Sequence, residues 1–137
     1  MSEAFVREKR VRFHHCDPAG IVFYPQYFVL FHELMEDWFT HGLGEDYAAF
    51  IRGGHGMPTV KVECEFLAPN PVGDVIAFEL TLARLGQASI TIRIVGKARG
   101  IECVRATVIA VHSALHPLGS VAIPPKLRSA MERFLRP

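Results

Sequence analysis

The chain has 137 residues, 50% of them hydrophobic and 21% charged. That length suits one domain over residues 1–137, and that balance argues against a disordered chain or a charged coiled coil. Fifteen basic residues stand against 14 acidic ones, a formal net charge of +1, which argues against a general nucleic-acid or membrane-surface binder.

Residues 4–13 alternate in rough parity, with Phe5, Arg7, Lys9, Val11 and Phe13 on one side, and read as a first strand. Pro18, Gly20 and Pro25 interrupt residues 14–25, so that stretch is expected to be mostly loop. After Pro25 the period changes. Tyr27, Phe31, Leu34 and Trp38 recur at helical spacing, and Phe28, Met35 and Phe39 widen the stripe. This predicts an amphipathic helix with a broad buried face. Pro25 suits its first turn and Gly42 and Gly44 end it. Residues 45–52 are compatible with a further short helix.

The second half has a period of two. Val60, Val62, Cys64 and Phe66 alternate with Lys61, Glu63 and Glu65 over 59–67. Ile76, Phe78, Leu80 and Leu82 repeat the pattern, as do Ile90, Ile92 and Ile94, and a longer apolar strand runs from about Ile101 to Leu115. Pro69-Asn70-Pro71, Gly86 and Gly100 separate these runs as turn residues. A terminal helix is expected over 125–135. Short turns favour antiparallel neighbours, so the expected class is α+β: an antiparallel sheet with one long apolar helix on its face. The second sheet face is only partly polar, which suggests self-association.

Cys16, Cys64 and Cys103 are scattered and form no C-x-x-C pair, which favours reduced thiols and a cytoplasmic location. The N-terminus lacks the apolar region of a secretory signal. No run approaches ~18 uncharged apolar residues, so no membrane span is expected.

The most informative segment is Asp17-Pro18-Ala19-Gly20-Ile21-Val22-Phe23-Tyr24-Pro25, followed by Tyr27. It places a carboxylate in a tight turn just before a helix N-terminus, where free amide hydrogens favour developing negative charge. That arrangement suits attack on a carbonyl. Asp17 is equally the ordinary starter of an Asp-Pro turn.

This segment resembles the signature of the 4-hydroxybenzoyl-CoA thioesterase family, whose members have the hot-dog fold: an antiparallel sheet wrapped around one long central helix. The resemblance implies hydrolysis of an acyl-CoA, with an aromatic acyl group such as 4-hydroxybenzoyl as the first guess. It implies a homodimer paired into a homotetramer, with sites between protomers. No cofactor or metal is implied. Carried onto this sequence, it makes Asp17 the catalytic carboxylate, either as nucleophile or as general base on water. Tyr24 would offer its backbone amide to the thioester carbonyl or line the acyl pocket with its ring. Gly20 would let the backbone approach the ligand. Pro25, Met57 and Thr59 would line the substrate site, the last two from the stretch His55-Gly56-Met57-Pro58-Thr59.

One departure concerns the carrier. The turn that holds CoA phosphates in the family member acting on 4-hydroxybenzoyl-CoA is rich in basic residues. Here it reads Arg84-Leu85-Gly86-Gln87-Ala88-Ser89, with Arg84 alone. Lys97, Arg99 and Lys126 are other candidates for CoA, and an acyl carrier protein is the alternative carrier. A short-chain acyl substrate, a non-hydrolytic thioester-binding module and a dehydratase remain as alternatives.

Other clusters carry less. His14-His15-Cys16-Asp17 is rich in metal ligands, but adjacent residues rarely converge on one ion. His32-Glu33-Leu34-Met35-Glu36 lacks the second His of a zinc-protease helix. Glu33 and Glu36 are read as a solvated helix face, although another hot-dog branch uses a helix carboxylate. Cys16 has no legible base, and His112 and His116 read as structural.

Overall fold

The computed structural model describes residues 2–137. Its main sheet holds β1 (Phe5–Arg10), β3 (Thr59–Phe66), β4 (Val75–Leu85), β5 (Ser89–Ala98) and β6 (Ile101–Val111). They run in the spatial order β1-β4-β5-β6-β3, and every neighbour is antiparallel. One long helix, α1 (Tyr24–Asp37), packs on one face of this sheet, the expected hot-dog arrangement. A smaller sheet of β2 (His55–Gly56), β7 (Ser113–Leu115) and β8 (Leu118–Ser120) and two short helices, α2 (Tyr47–Arg52) and α3 (Pro125–Glu132), complete the described chain.

The core lies between α1 and the sheet because the two periods meet there. Leu30, Phe31, Leu34, Met35, Trp38 and Phe39 are buried on the helix side. Ile76, Phe78, Leu80 and Leu82 of β4 and Ile90, Ile92 and Ile94 of β5 are buried beneath them. Each fully buried side chain of this size contributes roughly 1.5–3 kcal/mol of transfer free energy. Gly96 sits where β5 is crowded by its neighbours. A Cβ there would meet Val104 Cγ1 at 2.7 Å and Ile76 and Phe78 at 3.0 Å.

Several element boundaries differ from the sequence reading. The first strand stops at Arg10, because the Val11 amide turns to the Asp74 carbonyl at 2.8 Å. A 3-10 turn follows at Phe13–His15, and Phe13 is left 85% exposed. Beyond α1 the helical path widens into a π turn, Trp38–Gly42, closed by the Leu43 amide on the Trp38 carbonyl at 2.8 Å. Gly42 fits against the buried Trp38 ring, since a Cβ there would lie 2.7 Å from it. The expected strand over 101–115 breaks at His112, whose amide turns to the Ala88 carbonyl. The terminal helix ends at Glu132.

The largest difference concerns β3. Its alternation matches a strand with one apolar face, yet Val60, Val62 and Phe66 are 62%, 41% and 48% exposed. β3 is the last strand of the sheet, and α1 covers it only in part, through Tyr24 and Tyr27 against Phe66. Phe28, assigned to the buried stripe by spacing, is also partly exposed on that side. No helix of the described residues is long and apolar enough to cross a membrane.

Candidate active site

The Asp17 turn is a small closed loop. Cys16 and Val22 form an antiparallel bridge at its base. The Asp17 amide donates to the Ile21 carbonyl at 3.1 Å, and the Gly20 amide donates to the Asp17 carbonyl at 2.9 Å. Gly20 has φ +77, a left-handed conformation that L side chains adopt only with strain. The half-buried Asp17 carboxylate accepts from the Ala19 amide through Oδ1 at 2.9 Å. Oδ2 has no hydrogen-bond partner among the described residues.

Two residues past the turn, α1 begins. Phe23 is its N-cap residue and contributes no side-chain cap, and Pro25 occupies the first turn. The Phe23 amide donates to the His15 carbonyl at 2.9 Å, and the Gln26 amide donates to the Phe23 carbonyl at 2.8 Å. The Tyr24 N–H has no partner among the described residues, so it is a free donor at the positive end of a helix dipole. Asp17, Gly20, Tyr24 and Pro25 therefore belong to one short run of backbone with a carboxylate and a free amide.

A segment from the β3–β4 connection holds that run in place. The Val22 amide donates to the Asn70 carbonyl at 3.0 Å, and the Val72 amide donates to the Gly20 carbonyl at 2.9 Å. Asn70 is fully buried. Its Oδ1 accepts from the Tyr27 hydroxyl at 2.6 Å, and its Nδ2 donates to Asp74 Oδ2 at 3.0 Å. Burial alone would push the Asp74 carboxyl up, but the hydrogen bonds from Asn70 and Arg99 and the Arg99 charge hold it below the ordinary carboxylate value. Burial pushes the Tyr27 phenol up to about 12.

The ligand-rich run upstream does not converge. His15 is buried while His14 is exposed, and the His15 Nδ1 accepts from the Arg12 amide at 2.9 Å. Burial, with the neighbouring His14 adding to it, lowers the His15 pKa. Among the described residues, no group of three or more His, Cys, Asp or Glu is arranged to hold a metal ion. The Cys16 thiol donates weakly to the Arg12 carbonyl at 3.5 Å, and burial together with Asp17 pushes its pKa up. Glu33 faces Lys9 at 3.7 Å and Glu36 pairs with His32 at 2.7 Å, both on the α1 surface.

An apolar cavity of about 290 Å³ runs beside α1, lined by Phe28, Phe31, His32, Met35, Thr59 and Val62 with inner residues of β4, β5 and β6. Phe28 lies one helical turn beyond Tyr24. A second, more open hollow brings Tyr24 and Tyr27 against Phe66, with ring centroids 6.1 and 5.4 Å apart.

The structure divides the sequence-derived site residues into two groups. Phe66 of β3 packs beside Tyr24, whereas Thr59 is at the other end of that strand. The separation is seven residue steps, or about 23 Å. Met57, which is buried, lies just before Thr59. Arg84 is exposed beside a β-bulge at the same end of the sheet. Within one chain, Asp17 and Arg84 do not meet. Sequence reasoning missed Asn70, because an Asn between two prolines reads as a turn, and it weighed His32 only as part of a zinc-protease pattern rather than as a cavity residue. His32 lies one turn from Phe28 on α1, the only sequence signal that links it to the cavity wall.

A five-stranded antiparallel sheet around one helix, with a carboxylate turn at the helix start, defines a hot-dog protein. The chain matches the thioesterase-like superfamily over residues 11–131, and it belongs to that family. It is 27% identical to a gentisyl-coenzyme A thioesterase of known structure, with a TM-score of 0.86 over 93% of this chain and 99% of that one. A thioesterase-superfamily structure from Jannaschia sp. CCS1 is 26% identical, with a TM-score of 0.89 over 98% of this chain and 94% of that one. In sequence, the chain is 28% identical to a 1,4-dihydroxy-2-naphthoyl-CoA hydrolase from Synechocystis sp. over 80 residues. That match spans 58% of this chain and 58% of the relative's length.

Proposed function

We propose that the protein hydrolyses an aromatic acyl-CoA thioester to the free acid and CoA, with Asp17 as the catalytic carboxylate. The observation that carries this reading is the pairing of the Asp17 carboxylate, one oxygen unpartnered, with the free Tyr24 amide at the α1 N-terminus. The amide faces developing charge on the thioester oxygen. Asp17 then attacks the carbonyl to give an acyl anhydride that water cleaves, or it takes a proton from an attacking water. Either way the C–S bond breaks, and the sulfur leaves as thiolate and is protonated. Gly20 and Pro25 shape the backbone around the reacting group.

The aromatic preference rests on the cavity beside α1, where Phe28 and Phe31 offer ring contacts and His32 and Thr59 are the polar lining groups. Gentisyl and 1,4-dihydroxy-2-naphthoyl, the groups named for two relatives, are hydroxylated aromatic acyl groups. A 4-hydroxybenzoyl group falls in that class.

The working unit in this reading is a homodimer joined through β3, itself paired into a tetramer. β3 has a free edge and exposed apolar side chains. Antiparallel pairing of two β3 strands about a two-fold axis brings the Thr59 end of one chain beside the Phe66 end of its partner. The α1 cavity of one protomer, with its Thr59, and that protomer's Met57 and Arg84 then complete the site of Asp17 in the other. The compartment that fits three free thiols is the cytoplasm. Arg84 is the one basic residue in the Arg84–Ser89 turn, which keeps an acyl carrier protein in view as the carrier.

The test is thiol release from 4-hydroxybenzoyl-, benzoyl-, phenylacetyl-, acetyl- and hexanoyl-CoA, with Asp17→Asn alongside. Aromatic thioesters are expected to turn over fastest, and the variant to lose at least ~100-fold in kcat while remaining folded. Near-normal turnover in Asp17→Asn removes the role from Asp17. Faster release from hexanoyl-CoA removes the aromatic preference.

A further inference from the structure

Asn70 is fully buried between two prolines, and it contacts both halves of the proposed site. Its backbone carbonyl takes the Val22 amide, the residue that closes the Asp17 turn. Its side-chain Oδ1 takes the hydroxyl of Tyr27, which lies three residues past Tyr24 on α1. The direction of these bonds is fixed by chemistry. The Asp74 carboxylate only accepts, so Nδ2 faces Asp74 and Oδ1 faces Tyr27, whose O–H must donate. Arg99 pairs with the same Asp74 oxygen, Oδ2, and the Asp74 carbonyl takes the Val11 amide at 2.8 Å. Val72 bonds Gly20 and Pro71 bridges Ile21. Residues 70–74 thus touch the start of the loop, the Asp17 turn and the first turn of the helix.

From this geometry we infer that Asn70 is a positioning residue for thioester hydrolysis, which fixes the Asp17 carboxylate relative to the Tyr24 amide through its bonds to Val22 and Tyr27. The inference deepens the thioesterase reading and rests on it for the kinetic part. Attack on a carbonyl needs nucleophile and oxyanion donor in one geometry, and displacement by an ångström costs up to about 100-fold. Asp17 and Tyr24 do not hydrogen-bond each other. Their separation depends on what holds the turn and the helix, and Asn70 is the residue in contact with both, the turn through its backbone carbonyl and the helix through its side chain. Both polar atoms of this buried side chain have a partner, which makes the link stiff.

The experiment compares wild type, Asp17→Asn, Tyr27→Phe and Asn70→Ala at a temperature where circular dichroism shows each fully folded. Tyr27→Phe removes one hydroxyl and keeps the ring, so it remains informative if Asn70→Ala fails to fold. The readouts are kcat and KM for the best acyl-CoA, and backbone hydrogen exchange of residues 17–23 against β4 and β5. The expected result for Tyr27→Phe is a fall in kcat of roughly 10- to 100-fold, with KM changed less than about twofold. Faster exchange at 17–23 with an unchanged sheet is expected alongside. A role in stability alone would lower the melting temperature and leave kcat and local exchange as in wild type, which would overturn the inference. Loss of turnover in Asp17→Asn with wild-type kcat in Tyr27→Phe would overturn the role of Asn70 and leave the thioesterase reading standing. If wild type releases no thiol, that reading falls, and exchange at 17–23 still decides whether Asn70 holds the turn.

Discussion

His55 Nδ1 and His112 Nε2 lie 3.1 Å apart, with their rings stacked at 5.2 Å. His112 is 1% exposed, and its Nδ1 sits 2.8 Å from the Val121 carbonyl. A carbonyl only accepts, so His112 carries a proton on Nδ1, and in the neutral ring its Nε2 accepts from His55 Nδ1–H. Phe50 stacks on His55 at 5.2 Å. The pair joins α2, the small sheet and the strand that leads out of β6. His112→Ala leaves the Val121 carbonyl and the His55 N–H without partners and opens a void. The expected loss is about 2–4 kcal/mol in urea unfolding. A loss under about 1 kcal/mol would show that the pair is not a structural joint.

Alkaline pH should act through Tyr27. Burial raises its folded pKa to about 12 from the ordinary value of 10.0. Between those values the unfolded chain has lost the phenolic proton and the folded chain keeps it. The folded state binds more protons there, so stability falls as pH rises from 10 to 12. Tyr27 is 4% exposed, and its share of the loss is on the order of 2 kcal/mol. Urea unfolding at pH 9 and pH 11.5 measures it. Tyr27→Phe should flatten the decline, and an unchanged slope in that variant would assign the decline to other groups.

Val60 lies at a β-bulge on the outermost strand and is 62% exposed. Val60→Glu places a charge on the edge proposed to meet a second copy, where burial of an unpaired carboxylate is costly. Sedimentation equilibrium at micromolar protein should show the wild type as at least a dimer and the variant at lower mass. Turnover should fall with it, because Thr59 and Asp17 of one chain are far apart. Equal masses for the two proteins would remove β3 from the interface.

The three thiols should be slow to react. Burial pushes Cys64 up to about 11, with Glu65 adding to it, and burial likewise raises Cys103 and Cys16. At pH 8 a thiol with that value is roughly 0.1% thiolate. Ellman's reagent should therefore modify Cys64 at least about 100-fold more slowly in folded protein than in urea. Equal rates would contradict the burial of that side chain.

The periods of α1, β4, β5 and β6 were legible because their apolar faces all serve the core. β3 was legible as a strand, but not as one uncovered in the isolated chain. Alternation reports that a face is apolar and not which surface covers it. The Asp17 turn was legible because Pro18 and Gly20 are local signals. Asn70 was not, because its partner Tyr27 is 43 residues away. The His55–His112 contact spans 57 residues and was hidden for the same reason.

The bare edge of β3 also bears on how the chain fares after synthesis. An unpaired strand with Val60, Val62 and Phe66 exposed is a template for any passing extended segment, and aggregation competes with correct assembly until a copy is found. Lys61, Glu63 and Glu65 alternate with those residues and are exposed, so they act as gatekeepers that make indiscriminate stacking unfavourable. Replacing them with neutral residues would leave the fold of a single chain intact and lower the yield of soluble protein.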